Sequence, residues 1–156
     1  MNGSFEVSEN ELPVNWLIYT PETTQEGDFD VYIDEEISRA GEKSLKFDIR
    51  NCSSAGGRKS PGITQEWDVL PGENYIIRFW MINEGTNFRA STGWVSAFEG
   101  KLEKIVSTDK DIPDWKLYEY RYSMPSDRDK IRFELSILSA GTVWIDEFSI
   151  SKEVDL

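Results

Sequence analysis

The chain has 156 residues, enough for one domain with its own core and short of two. Lys and Arg number 17 against 29 Asp and Glu, and the resulting charge of −12 repels nucleic-acid phosphates and anionic membrane surfaces. With no His and one Cys, His-based catalytic triads, His- or Cys-held zinc and any intrachain disulfide are excluded.

In chain order, the N-terminal Met1-Asn2-Gly3-Ser4-Phe5-Glu6 carries no basic or apolar leader pattern, so the protein is expected either to be intracellular or to have lost a signal. Thr20–Asp30 reads as a polar, acidic loop, with Tyr19 and Tyr32 flanking it as candidates for a cleft edge. Asp34–Ala40 reads as the one helical turn, closed by Gly41. Ser44–Arg50 then alternates apolar Leu45, Phe47 and Ile49 with charged Lys46, Asp48 and Arg50, the period of a strand with one buried face. Asn51–Ser60 reads as a mobile surface loop. Its Cys52 has no His or adjacent basic residue to activate it and is expected to be inert.

Turn signals at Gly56-Gly57, Pro61-Gly62 and Pro71-Gly72 precede a longer strand. Tyr75, Ile77, Phe79 and Met81 form one face of that strand, and Ile76, Arg78, Trp80 and Ile82 the other. Tyr118, Tyr120 and Tyr122 alternate with Glu119 and Arg121. After Met124-Pro125-Ser126-Asp127, Ile131, Phe133, Leu135 and Ile137 alternate with Arg132, Glu134 and Ser136. Ala140-Gly141 leads into a last strand, Val143–Ile150. Trp16, Trp115 and Trp144 are expected in the core or plugging its ends.

An aromatic share of 13% argues against the disorder that an acidic chain with 38% hydrophobic residues otherwise suggests. No apolar run approaches the ~18–20 residues of a membrane span. Many short alternating strands between turn signals predict an all-β, two-sheet antiparallel jelly-roll sandwich occupying residues 1–156 as one domain. Its core is expected from Phe47, Ile49, Ile77, Phe79, Ile131, Phe133, Leu135 and Ile145.

Parity places the partners of those core residues on the opposite face. Asp48, Arg50, Arg78, Trp80, Arg132 and Glu134, with Trp94, are therefore the candidate ligand-binding set. Sugars need an aromatic plane for their C–H face and planar polar groups for paired hydrogen bonds to hydroxyls. Trp80 and Trp94 would supply the first, and the Arg, Asp and Glu residues the second. The competing expectation is a solvated face of cross-strand ion pairs.

Several pieces occur together: Asn2-Gly3-Ser4-Phe5-Glu6 with Pro13 and Trp16, Gly41-Glu42-Lys43-Ser44-Leu45, Gln65, Leu70-Pro71-Gly72-Glu73-Asn74-Tyr75, Arg78-Phe79-Trp80, Trp115, Tyr118, Tyr120, Pro125 and Gly141–Ile150. The ordered set resembles a carbohydrate-binding module of the galactose-binding-like jelly-roll type, nearest the cleft families that bind β-glucans and xylans. The resemblance runs from Asn2 to Ser151. It implies a sugar cleft on the concave face of one sheet and, commonly, a structural Ca²⁺. The calcium ligands would map to Glu6 and Asp146, completed by carbonyls of Gly41–Ser44, with oxygen-only donors suiting Ca²⁺. Such modules are usually appended to secreted glycosidases, which implies an extracellular, periplasmic or cell-surface setting and a glycoside hydrolase encoded nearby.

The expected function is non-catalytic binding of a poly- or oligosaccharide, without nucleic acid or membrane insertion. A structural or adhesion domain is the alternative. Catalysis would need two carboxyls about 5–5.5 Å or 6.5–9.5 Å apart, which Glu119 and Glu134 could provide if on adjacent strands. The Glu-x-Asp-x-x-Glu motif of jelly-roll glycosidases is absent, and no enzyme is expected.

Overall fold

Alternating residues bury one face only if a second sheet covers it, and the chain supplies two. The computed structural model describes residues 2–9, 12–24 and 27–154; Gln25 and Glu26 of the acidic loop lie outside them. The strands are β1 (Ser8–Glu9), β2 (Leu12–Pro13), β3 (Leu17–Tyr19), β4 (Asp28–Asp34), β5 (Ser44–Asn51), β6 (Gly62–Asp68), β7 (Asn74–Glu84), β8 (Phe88–Val95), β9 (Gly100–Thr108), β10 (Ile112–Ser123), β11 (Lys130–Ile137) and β12 (Gly141–Lys152). They form a small β1–β2 ribbon and two five-stranded sheets, β10-β7-β12-β5-β4 and β3-β6-β11-β8-β9, every pair antiparallel. From β5 onward the chain crosses repeatedly between the sheets, the arrangement of a jelly-roll sandwich.

The inner faces meet in one hydrophobic cluster that holds all eight predicted core residues. Its centre is aromatic. Phe133 lies 4.6 Å from Phe148 and 5.2 Å from Phe79, centroid to centroid, and Trp16 closes one end 5.2 Å from Phe148. Trp16 buries its ring and donates from Nε1 to the Asn2 carbonyl at 3.0 Å, so the indole brings its polar handle into the packing satisfied. Trp144 is also buried, but on the outer face of its sheet, where Nε1 donates to Asp34 Oδ2 at 2.8 Å. Trp115 is half-buried at the irregularity between Ile112 and Lys116, outside the main cluster.

The helical turn expected over Asp34–Ala40 does not form. Asp34 ends β4, and its carboxylate accepts the Glu36 and Ile37 amides at 2.8 and 3.4 Å. The amides of Arg39 and Ala40 are taken by Asp146 and those of Glu42 and Lys43 by Glu6, so the N–H groups that a helix would use point at side chains from both ends of the chain. Gly41, at φ +67, takes the left-handed conformation this path requires. The expected loop Asn51–Ser60 contains a 3₁₀ turn, Gly57–Lys59, pinned by buried Ser60, whose Oγ accepts the Gly56 amide and donates to the Ser53 carbonyl. Cys52 contacts the Ile137 carbonyl, and burial raises its thiol pKa, in keeping with an inert side chain.

Candidate functional site

Strand pairing divides the seven predicted ligand residues between opposite sides of the molecule. Asp48 and Arg50 on β5 and Arg78 and Trp80 on β7 lie on the outer face of the β10-β7-β12-β5-β4 sheet. Arg132 and Glu134 on β11 lie on the outer face of the other sheet. Trp94 belongs to neither. It shares the inward parity of Thr92, which pairs with core Phe133, and at the strand end its ring is covered by the Arg128 guanidinium at 3.9 Å. The seven residues therefore cannot line one cleft.

On the first face the charges satisfy one another across strands. Arg50 bridges Asp28 and Asp30 at 2.7 and 2.9 Å, and Arg78 meets Glu119 at 2.6 Å. The Trp80 ring is covered by the Arg39 guanidinium at 4.1 Å. Lys46 sits between Tyr32 and Trp144, 5.5 and 5.1 Å from their ring centroids, beside a hollow of about 580 Å³ lined also by Asp34, Glu35 and Glu36. The aromatic planes here are already occupied by protein cations.

The second face differs. Register sets its outward side chains in rows across the strands: Tyr19, Gly62, Ser136 and Arg89; then Leu17, Thr64, Glu134, Ser91 and Lys104; then Glu66, Arg132, Gly93 and Leu102. The middle of this outward face is sheltered, with Thr64 3%, Ser136 4% and Ser91 9% exposed. Small residues form the floor, and the long side chains of Arg89, Glu66, Arg132 and Glu134 rise beside it. Gly62 and Gly93 cannot be replaced without strain, because a Cβ there would sit 2.1 Å from the Leu135 carbonyl oxygen and 2.0 Å from that of Lys101. The Asn51–Ser60 loop packs against the Arg89 end, where a Cβ on Gly56 would meet Nη2 at 2.5 Å.

Arg132 anchors the floor. Its Nη1 is 3.3 Å from Glu66 Oε1 and its Nε 2.8 Å from Glu134 Oε1, with Arg132 and Glu134 each about four-fifths buried. The Nε contact is too misaligned for a hydrogen bond, which leaves a buried donor unsatisfied beside the groove. A depression of about 390 Å³ opens at this point, lined by Asn15, Leu17, Thr64, Gln65, Glu66 and Arg132. Glu66 was missed in the sequence because β6 was not recognised. The signal is present in Ile63, Thr64, Glu66, Trp67 and Asp68, but polar Gln65 interrupts the apolar side of the alternation.

Glu119 and Glu134, the pair considered for catalysis, lie on different sheets and face opposite ways. Glu6 and Asp146 do converge on one segment. Asp146 Oδ2 accepts the Arg39 and Ala40 amides at 2.8 and 3.3 Å, and Oδ1 the Glu147 amide at 2.8 Å. Glu6 Oε1 accepts the Glu42 and Lys43 amides at 2.9 and 3.0 Å, and Lys43 Nζ donates to the Glu6 carbonyl at 3.2 Å. Calcium needs six to eight oxygens turned toward it, whereas these carboxylates face backbone N–H donors, and the Glu6 carbonyl faces the Lys43 ammonium group. Among the described residues no cluster of three acids assembles either. In this arrangement the donor set does not fit Ca²⁺. The physical effect of the site is a clasp of backbone amides joining residues near both termini.

No protein-family model and no curated protein matches the chain. Solved structures do. The CBM22-1 xylan-binding domain of Paenibacillus barcinonensis Xyn10C superposes with a TM-score of 0.69 at 13% identity, over 99% of this chain and 94% of that one. TmCBM61, solved with β-1,4-galactotriose, gives 0.65 at 21% identity over 97% and 96%. The Clostridium thermocellum Xyn10B CBM22-1–GH10 modules, solved with xylohexaose, give 0.66 at 16% identity over 88% of this chain and 26% of that one. The chain shares the jelly-roll fold of these carbohydrate-binding modules.

Proposed function

We propose that this protein binds a β-linked oligo- or polysaccharide across the outer face of the β3-β6-β11-β8-β9 sheet, without cleaving it. The observation that carries the reading is the sheltered floor of Gly62, Thr64, Ser91, Gly93 and Ser136 beneath the Glu66–Arg132–Glu134 cluster. Small floor residues admit a flat ring. Arg132 offers N–H donors, and Glu66 and Glu134 offer acceptors, to vicinal hydroxyls. Tyr19, on the outward side of edge strand β3, supplies an aromatic plane at one end. Of the sequence-derived set, Arg132 and Glu134 belong to this site. Both groove carboxylates are paired with one guanidinium, an arrangement suited to accepting hydroxyl hydrogen bonds. The reading also places the protein outside the cell, where such polymers are found, beside the enzymes that act on them.

The test is titration calorimetry with soluble xylan, β-1,4-galactan and a mixed-linkage β-glucan, together with an assay for released reducing sugar. Wild-type protein is expected to bind at least one polymer and release no sugar. Arg132→Ala should weaken that binding tenfold to a hundredfold, the loss of hydrogen bonds to a charged group worth about 1.5–3 kcal/mol. Absence of binding to all three polymers, or sugar release that Glu134→Gln abolishes, overturns the proposal.

A further inference from the structure

One cation of the groove has no acid beside it. Among the described residues Arg50, Arg78, Arg121, Arg128 and Arg132 each meet a carboxylate, and Arg39 covers Trp80. Arg89 takes part in none of the ion pairs among these residues, in a chain where 29 Asp and Glu face 17 Lys and Arg. Register places it in the groove. Arg89 pairs with Ser136 on β11, Ser136 with Gly62 on β6, and Gly62 with Tyr19 on edge strand β3. The acid of the adjoining row, Glu134, is turned to Arg132 Nε at 2.8 Å.

The half-buried Arg89 side chain is also held in place. Its guanidinium rests against Gly56, where a Cβ would lie 2.5 Å from Nη2 and 3.6 Å from Cζ. Gly56 is buried at φ +81, and its amide donates to Ser60 Oγ at 2.8 Å, which in turn donates to the Ser53 carbonyl at 2.6 Å. The 3₁₀ turn that follows carries Arg58 and Lys59, both exposed. Lys104, exposed on β9, stands in the next row opposite Ser91. A fixed guanidinium with further cations near it in the chain and across the sheet is ready for an anion before one arrives, which lowers the ordering cost of binding.

A guanidinium fork matches a carboxylate with two parallel charge-assisted hydrogen bonds. The net charge of −12 opposes an anion only at long range, because exposed charges farther than about 8 Å are largely screened at physiological ionic strength. We infer that the Arg89 corner receives a carboxylate carried by the saccharide, which makes the groove selective for a uronate-bearing glycan over its neutral counterpart. The inference rests on the proposed sugar-binding groove. Ser136, the partner of Arg89, is four residues from Arg132 on β11, about 14 Å along the strand. The acidic unit is therefore a different part of the ligand from the one held at Arg132, either farther along the chain or on a branch.

The experiment compares glucuronoxylan with the same polymer after chemical reduction of its carboxyl groups to alcohols. Calorimetry is run on wild type, Arg89→Ala, Arg89→Lys and Arg132→Ala. Wild type should bind the acidic form about tenfold more tightly than the reduced form, and 0.5 M NaCl should remove most of that preference. Arg89→Ala should lose the preference and keep its affinity for the reduced form. Arg89→Lys keeps the charge without the fork and should retain part of the preference, while Arg132→Ala should weaken both forms. Matching melting curves check that the variants fold, and the salt dependence of wild type reads the charge without any variant. Equal wild-type affinity for the two forms overturns the inference, as does an Arg89→Ala loss of equal size on both. Wild type that binds neither form also overturns it, and the neutral polymers of the earlier titration then show whether the groove itself stands. A preference that sulfated carrageenan satisfies and glucuronoxylan does not would assign the corner to sulfate esters and overturn the uronate.

Discussion

Asp146 is fully buried, and burial raises its carboxyl pKa to about 6 against the pull of the Arg39, Glu147 and Ala40 amides, with the neighbouring Glu147 carboxylate adding to the rise. In the unfolded chain an Asp titrates near 3.9. Between these values the native state holds more protons than the unfolded one, so the group's contribution is fully present below about pH 4 and lost as pH rises through about 6. Asp146→Asn removes that titration. The stability of wild type relative to this variant should fall on the order of 2–3 kcal/mol between pH 4 and pH 7, read from urea unfolding at each pH. Parallel profiles would mean that Asp146 remains ionised throughout. Asp34 runs the other way. Burial opposes its charge, but hydrogen bonds from the Trp144 indole and the Glu36 and Ile37 amides outweigh that, and its pKa is lowered. Its contribution is therefore lost as pH falls, which is why the Asp146 effect is isolated by difference and not from wild type alone.

The segment between β4 and β5 shows how an element can be held by side chains distant in sequence. Two carboxylates, one before β1 and one in β12, fill the amides of residues 39, 40, 42 and 43 and pull the segment over its sheet, where Arg39 covers Trp80. If amides alone close this clasp, EDTA leaves the wild-type melting temperature unchanged, and Glu6→Ala lowers stability by about 1.5–3 kcal/mol through lost charge-assisted hydrogen bonds. Glu6→Gln keeps an acceptor oxygen and should cost less. A melt that EDTA lowers, together with one bound calcium per chain by elemental analysis, would show that an ion displaces the amides and restore the ligand roles of Glu6 and Asp146. Trp80→Ala separates the two faces of the sandwich. It removes the ring beneath Arg39 and should lower the melting temperature, yet leave xylan or galactan binding unchanged, since the proposed groove lies on the other sheet. Saccharide affinity lost together with Trp80 would move the site to the first face.

At the scale of the whole molecule, the sandwich gives two outer faces that both carry cross-strand ion pairs, and the division of residues between them follows from strand order. The alternations of β5, β7, β10 and β11 were legible because each buries mainly one face, and period two states inside from outside without reference to any partner; β12, which also buries Trp144 and Asp146 on its outer side, was legible from its apolar run. β6, β8 and β9 were not legible. β6 carries Gln65 on its inner side, β8 is rich in small residues, and edge strand β9 is largely exposed, so none shows a clean apolar repeat. Parity places Asp48, Arg78 and Arg132 outside correctly, but it cannot tell which of two outsides. That is set by long-range pairing, with β12 inserted between β7 and β5 and β11 between β6 and β8. Trp94 fails for a related reason, since its direction depends on the register with β11 and on Arg128 arriving from a distant turn. The sequence by itself determined the all-β class, the core and the polar faces, because those follow from local period and composition. Only the tertiary structure decided which polar residues share a face, which aromatic planes are already covered and which carboxylates are filled by amides, because each of those is fixed by neighbours distant in the chain.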